Sequence, residues 1–296
     1  MKTKLYISLF CVGFFWGTTF LGIRVAVETI PPFLVAGFRN ILAGSILMIY
    51  LYFKKEITPI SIKQFLRALL LAFLMIVFAN GLTTFAEKYI TSGLASIIST
   101  LSPFLVLILN LSLGNEKLSL KTLFGIFLGI CGIFLIYQNS LSDLVNPEYR
   151  LGVLSIVAAV FSWAVGTIIT KKGQKKPLGM TQGISIQMLL AGIILFAIQF
   201  FVDTKIDFES FSTASIYSVF YLSIFGSVVG YMAYSYLLTQ LPSTKVSVLS
   251  YVNVVVALFL GWLILDEKIT SRIIFATILI IFGVVIVNFK FKKVRK

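Results

Sequence analysis

The sequence predicts an all-α integral membrane protein, with ten transmembrane helices built as two inverted five-helix repeats. Three observations lead there. Hydrophobic residues fill 58% of the 296 positions and charged residues 12%, against roughly a quarter charged in soluble domains. Ten apolar runs approach the roughly 20 residues that a helix needs to cross a bilayer, and they are continuous where barrel strands would alternate. The pattern also returns: Leu113-Gly114-Asn115-Glu116-Lys117-Leu118 closes the fourth run and Ile264-Leu265-Asp266-Glu267-Lys268-Ile269 the ninth, a shift of 151 positions from Glu116 to Glu267. Repeats of soluble solenoids have periods of roughly 20–50 residues, so this one is a duplication of the fold itself.

The first repeat, residues 5–140, holds runs 5–23, 33–53, 66–86, 93–113 and 122–138. Lys2 and Lys4 ahead of the first run imitate a secretory signal, but nine further runs make it an anchor. It carries Trp16, Thr18 and Thr19 mid-span, where an indole N–H needs a partner. The second run contains Arg39, a charge that costs roughly 2.5–3.5 kcal/mol at a helix centre on insertion scales. Three fates are open to it: snorkelling outward, pairing with Glu28, or reaching a substrate carboxylate. The third run carries Asn80, Thr83 and Thr84. Glu87 and Lys88 sit at its outer end, where solvated loop charges are the default and Glu87 is a candidate for an outer gate. In the fourth run Ser92, Ser96, Ser99 and Pro103 are spaced by four, three and four, which places them on one helical face.

The second repeat, residues 151–290, holds runs 151–170, 178–202, 215–238, 246–265 and 273–289. Trp163 answers Trp16, with Thr167 nearby as a further candidate beside Thr18 and Thr19, and the neutral Gln187 stands where the first repeat has Arg39. Tyr231, Tyr234 and Ser235 occupy the places of Asn80, Thr83 and Thr84. The stripe Ser243, Ser247, Ser250 and Val254 repeats that of the fourth run, with valine in place of proline, which puts a proline break in the ninth helix in doubt. Hydroxyls facing lipid gain nothing, so both stripes should face protein or water. Close helix packing and cavity lining stay open for each serine.

Five spans are an odd number, so the second repeat starts on the opposite side of the membrane from the first. Loop charge agrees: residues 54–65 carry Lys54, Lys55, Glu56 and Lys63, and the equivalent 203–214 carry Asp203, Lys205, Asp207 and Glu209. With a cytoplasmic amino terminus, 18 Lys and Arg fall inside and 6 outside, Arg39 being left within a span. The positive-inside rule then puts both termini in the cytoplasm of a cell-membrane protein. The net charge of +14 is mainly this signal, with attraction to anionic lipid as a second effect and no call for nucleic acid. Inverted repeats of this kind place a substrate site near the midplane, between the halves.

Phe15-Trp16-Gly17-Thr18-Thr19-Phe20, Ser92-Gly93-Leu94-Ala95-Ser96-Ile97-Ile98, Leu101-Ser102-Pro103-Phe104 and the pairs Glu116-Lys117 and Glu267-Lys268 together resemble the EamA-type members of the drug/metabolite transporter superfamily. The resemblance covers nearly the whole chain. It implies a carrier of small metabolites, often an exporter of amino acids or related compounds, with a cavity lined by helices one, three, four, six, eight and nine.

The candidate substrate-binding set is Trp16, Thr19, Asn80, Thr84, Ser96, Ser99, Trp163, Thr167, Tyr231, Tyr234, Ser247 and Ser250, with Arg39 and Glu87 as a possible gate or charge partner. No connecting loop can hold a nucleotide domain and no GxxxxGK[ST] loop exists. The chain has no His, and Cys11 and Cys131 lie in different spans, so no metal or cofactor is expected. No Asp or Glu lies in the middle third of a span, which disfavours antiport through a deep carboxylate. An intramembrane enzyme would need a nucleophile–base pair or paired carboxylates, and none is visible. The expected partners are a small-molecule substrate and membrane lipids, with the chain a monomer or weak homodimer. A lipid or lipid-linked-sugar flippase of the same fold is the alternative. The topology is directly testable: reporter fusions at the two termini should both report the cytoplasm, and a split result would refute the inverted duplication.

Overall fold

In hydrocarbon no water satisfies backbone N–H and C=O groups, so an apolar run of some 20 residues closes its hydrogen bonds within itself as a helix. A computed structural model describes residues 2–137, 147–173, 177–202, 206–265 and 271–288. Lys175, Lys176, Asp203, Lys205, the Glu267–Lys268 pair and the basic tail from Lys290 lie outside the described residues. Every extended apolar run is helical: α1 (Lys2–Ala26), α2 (Pro32–Lys54), α3 (Ile62–Ala86), α4 (Ser92–Ser99 and Ser102–Ser112), α5 (Leu120–Tyr137), α6 (Arg150–Lys172), α7 (Met180–Val202), α8 (Thr213–Gln240), α9 (Ser243–Ser247 and Leu249–Leu265) and α10 (Ser271–Asn288). Among the described residues, seven are long and apolar enough to cross a bilayer, and α5, α9 and α10 are shorter apolar helices.

Pro103 lies in the first turn of the second piece of α4, where its missing N–H breaks no helical bond. Helix α9 is also interrupted, at Val248, without a proline and upstream of Val254. The doubt that valine raised about a break in this helix is therefore resolved at a different position. Two features had no sequence signal. The middle of α3, Ala72–Gly81, and the middle of α8, Leu222–Val229, are wound as π-helix, at the same place in each half. Such wide turns are rare and gather at functional sites.

The helix pairing repeats with a shift of five. Helix α2 packs on α7 and α5 on α10, each against its own equivalent; α1 packs on α8 and α9, while α6 packs on α3 and α4. A pseudo-twofold axis between the halves produces this pattern. It is visible to the atom where α2 meets α7. A Cβ on Gly44 would lie 3.0 Å from both Leu189 N and Ser185 O, and one on Gly192 would lie 2.9 Å from Ile41 N and 3.1 Å from Gly37 O. Residues 41, 37 and 44 correspond to 189, 185 and 192, so one contact is the image of the other. Small residues here let two backbones touch, which is how helices associate where no hydrophobic effect drives them together. Ser185 adds a hydrogen bond from Oγ to Gly44 O at 2.7 Å.

The helix ends obey the same symmetry. Arg24, at the end of α1, donates from Nη1 to Glu87 O at 2.7 Å. Its equivalent Lys171, at the end of α6, donates from Nζ to Leu238 O at 2.6 Å and Leu241 O at 2.8 Å. Each cation satisfies carbonyls that a helix C-terminus leaves free and meets the negative end of its dipole. Glu116, from the motif closing α4, reaches the start of α9: Ser243 Oγ donates to its Oε1 at 3.2 Å, Asn110 Nδ2 at 3.1 Å and Thr244 N at 3.4 Å. A carboxylate at a helix N-terminus is favoured by dipole and hydrogen bond together. The outward faces carry exposed Phe10, Phe53, Phe73, Phe201 and Phe282, the residues expected against lipid. Gly44→Leu and Gly192→Leu should each cost about 1–3 kcal/mol by overpacking. They should lower the melting temperature in detergent, while Gly179→Ala, with open space around its Cβ position, should leave it unchanged.

Candidate functional site

Where the halves meet, a cavity of about 160 Å³ is lined by α1, α2, α3, α4, α6, α8 and α9. At roughly 30 Å³ per water in the liquid, this is room for about five waters or one small organic group. On α1 the lining positions Val12, Trp16, Thr19 and Ile23 follow the spacing of one helical face. The π-helical stretches contribute Met75, Ile76, Ala79 and Asn80 from α3 and Gly226 and Ser227 from α8. A wider turn presents more of its residues to one side, and both such turns point here.

An aromatic box forms one wall. Trp16 and Trp163 meet edge to face with centroids 5.3 Å apart, Trp163 lies 6.1 Å from Tyr231, and Tyr234 lies 5.0 Å from Trp16 and 4.9 Å from Trp163. Each edge-to-face or offset pair contributes about 0.5–1.5 kcal/mol beyond area burial. The box is held by hydrogen bonds: Trp16 Nε1 donates to Gly226 O at 3.0 Å, and the Tyr234 and Thr167 hydroxyls are 2.6 Å apart. A Cβ on Gly230 would sit 2.3 Å from Trp16 Nε1, so only glycine admits the indole there.

Of the sequence candidates, Trp16, Thr19, Arg39, Asn80, Ser99, Trp163, Tyr231, Tyr234, Ser247 and Ser250 line the cavity. Thr84, Ser96, Thr167 and Glu87 do not. Thr84 is fully buried and donates to Asn80 O at 2.8 Å, its hydroxyl absorbed by its own helix. Thr167 stands behind the wall, holding Tyr234. Ser96 is buried between helices, so packing decides its place. Glu87 corrects a larger expectation: it is no solvated loop charge but fully buried, while its neighbour Lys88 is exposed. Thr83, noted in the third run but left out of the binding set, is in the lining, and sequence reasoning missed Asn40, Ser102, Ser227 and Asn253 there. Asn40, beside Arg39, and Ser102, three residues beyond Ser99, carried a signal in their spacing. Ser227 and Asn253 carried none.

Both serine stripes face the protein, with Ser96, Pro103, Ser243, Ser247 and Val254 buried. Many hydroxyls bond back to their own helix: Thr19 Oγ1 to Trp16 O at 2.7 Å, Ser99 Oγ to Ala95 O at 2.9 Å and Ser247 Oγ to Thr244 O at 2.8 Å. Arg39 neither snorkels nor pairs with Glu28. It is 4% exposed, and its Nε donates to Ser227 Oγ at 2.7 Å. A second cavity of about 250 Å³ lies beside the first, and Tyr231 lines both. The Tyr231 hydroxyl contacts Gln187 Oε1 at 3.3 Å and Met75 Sδ at 3.4 Å.

A multi-pass helical bundle whose two related halves enclose an amphipathic cavity is built as a membrane transporter. The chain belongs to the EamA-like transporter family, whose sequence profile matches residues 3–138 and again 150–289. It is 31% identical to the inner membrane transporter YedA of Escherichia coli (strain K12), over 96% of this chain and 90% of that one. It is 22% identical to the transporter YoaV of Bacillus subtilis (strain 168), over 98% of each chain. Protein PagO of Salmonella typhimurium is 27% identical over 96% of this chain and 92% of its own. A crystal structure 15% identical in sequence superimposes with a TM-score of 0.80, covering 97% of this chain and 98% of the other, which establishes the shared fold. The drug/metabolite transporter resemblance is thereby established as kinship.

The Thr167–Tyr234 bond is open to a direct measurement. Thr167→Val and Tyr234→Phe should each destabilise the protein, and their double-mutant cycle should give a coupling of about 0.5–1.5 kcal/mol in thermal or denaturant unfolding. A coupling indistinguishable from zero would mean the two hydroxyls do not pair.

Proposed function

We propose that this transporter carries a small amphipathic metabolite, an amino acid or related compound, out of the cell by alternating access around the central cavity. Both termini are cytoplasmic in this reading. Residues 5–140 and 151–290 act as the two halves that rock against one another. The observation that supports it most is the composition of the cavity wall. Equivalent elements of both halves, Trp16 with Trp163 and the two π-helical stretches, converge on one space holding an aromatic face and unsatisfied polar groups. An aromatic surface takes the apolar part of a solute, and the polar atoms fix its orientation.

Tyr231, bordering both cavities, is the partition in this scheme. Its ring closes the aromatic box, and its hydroxyl reaches α7 at Gln187 and α3 at Met75. Rotation of that side chain joins the two spaces, so opening needs no large movement at this point.

The test is counterflow in proteoliposomes preloaded with unlabelled amino acid. Saturable uptake of the radiolabelled solute is expected. Asn80→Ala should weaken its half-saturation by roughly tenfold, the value of one hydrogen bond to a desolvated group. Tyr231→Phe should change the rate of exchange more than the affinity. Movement of a fluorescent lipid with no counterflow of any soluble compound would replace the carrier with the flippase reading.

A further inference from the structure

Several polar side chains of the cavity lining bond within the protein, among them Trp16, Thr19, Asn40, Thr83 and Ser99. Three fully buried side-chain atoms of described lining residues have no partner, and they come from three helices in the two halves: Arg39 Nη1 on α2, Asn80 Oδ1 on α3 and Ser250 Oγ on α9. All three residues line the cavity. An orphaned buried donor or acceptor costs about 1–3 kcal/mol, more when charged, and Arg39 adds the cost of a cation inside a span. Groups left in that condition at a cavity wall mark where a ligand completes the set.

The geometry fixes the guanidinium. Its Nε is held by Ser227 Oγ at 2.7 Å. Its Nη2 lies against Gly226, where a Cβ would come within 2.8 Å of it. Nη1 is left without a partner. Among the described residues no carboxylate hydrogen-bonds to Nη1: Glu87, fully buried just past the end of α3, feels the charges of Arg24 and Arg39, but neither of its oxygens makes a hydrogen bond and it is not part of the wall. Arg39 is also the sole Lys or Arg among the described residues of the lining. A planar guanidinium with a free N–H matches a carboxylate. A phosphate group would bring nearly two negative charges at neutral pH to one guanidinium that already has the buried carboxyl of Glu87 near it. Asn80 Oδ1 accepts and Ser250 Oγ donates or accepts, so a solute that completes the set also carries an N–H or O–H donor.

We infer that Arg39, oriented by Ser227, is the carboxylate-recognising residue of the cavity, and that the protein selects monocarboxylate-bearing solutes over their neutral or cationic analogues. The inference rests on the cavity being the transport site and adds which group of the solute is read there. Ser227 and Gly226 serve as positioning residues, since they touch the guanidinium rather than the solute.

The experiment is a thermal-shift screen of the full chain in detergent, because a ligand that prefers the folded state raises its melting temperature. The probes are the common amino acids, their carboxamides, glycerol 3-phosphate and inorganic phosphate. Stabilisation by one or more of the acids is expected, with none by the matching carboxamides or by either phosphate. Arg39→Gln should abolish the shift, and Arg39→Lys, which keeps charge but loses the fork, should weaken binding about tenfold or more. Should Arg39→Gln fail to fold, Ser227→Ala carries the test: it frees the guanidinium and should raise the apparent Kd of the same acid without changing which analogues are refused. Carboxamides binding as tightly as acids, shifts by phosphate alone, no shift by any acid, or a shift undiminished in the variants would each overturn the inference. Counterflow of a solute lacking a carboxylate would overturn it while leaving the carrier reading standing. A retained acid-specific shift with no counterflow would sink the carrier reading and leave recognition by Arg39 intact.

Discussion

Hydrocarbon contains no hydrogen-bonding solvent, and the architecture follows from that one constraint. Every polar group within a span must find a partner in the protein or face an aqueous space. Serines and threonines of α1, α3, α4 and α9 solve the problem locally, by bonding to the preceding turn of their own helix. Arg24 and Lys171 solve it for helix termini, by donating to the end carbonyls of α3 and α8. Glu116 solves it for the start of α9. Among the described residues the buried side-chain atoms left without a partner belong to Glu87, away from the cavity wall, and to Arg39, Asn80 and Ser250, which line the cavity between the halves.

Duplication gives that cavity its character. Several structural contacts have an image in the other half, from the glycines of α2 and α7 to the cations capping α3 and α8. Chemical identity has drifted where structure has not. Asn80 faces Tyr231 across the repeat relation, and Arg39 faces Gln187. The wall is therefore symmetric in shape and asymmetric in chemistry, aromatic where Trp163, Tyr231 and Tyr234 gather and polar where Arg39, Asn80 and Ser227 do.

The fold was largely legible beforehand because the signals that specify it are local and additive. Apolar runs, the recurrence of Gly44 as Gly192 and the spacing of Ser96 from Ser99 need no knowledge of neighbours. The inward facing of both stripes could be argued from the cost of a hydroxyl in lipid alone. The site was legible in part. Trp16 and Trp163 stood out because an indole in mid-span needs a partner. Ser227 and Asn253 could not be found, because nothing in one strand of sequence says that α8 will bring a serine beneath an arginine of α2. Glu87 was misjudged for the same reason: its position at the end of a run suggested water, and helix packing removed that water.

Composition and periodicity by themselves determined that this chain is a multi-pass helical membrane protein, duplicated, with polar residues at matching depths of both halves. Those properties depend on the identity of residues within a turn or two of one another. The tertiary structure alone decided which polar groups pair and which stay unpaired, where α3 and α8 widen into π-helix, and that Arg39 ends beside the cavity on Ser227. These are contacts between helices up to 210 positions apart. They follow from how closely glycine-faced backbones approach and from the partner each buried atom finds, quantities set by packing in three dimensions.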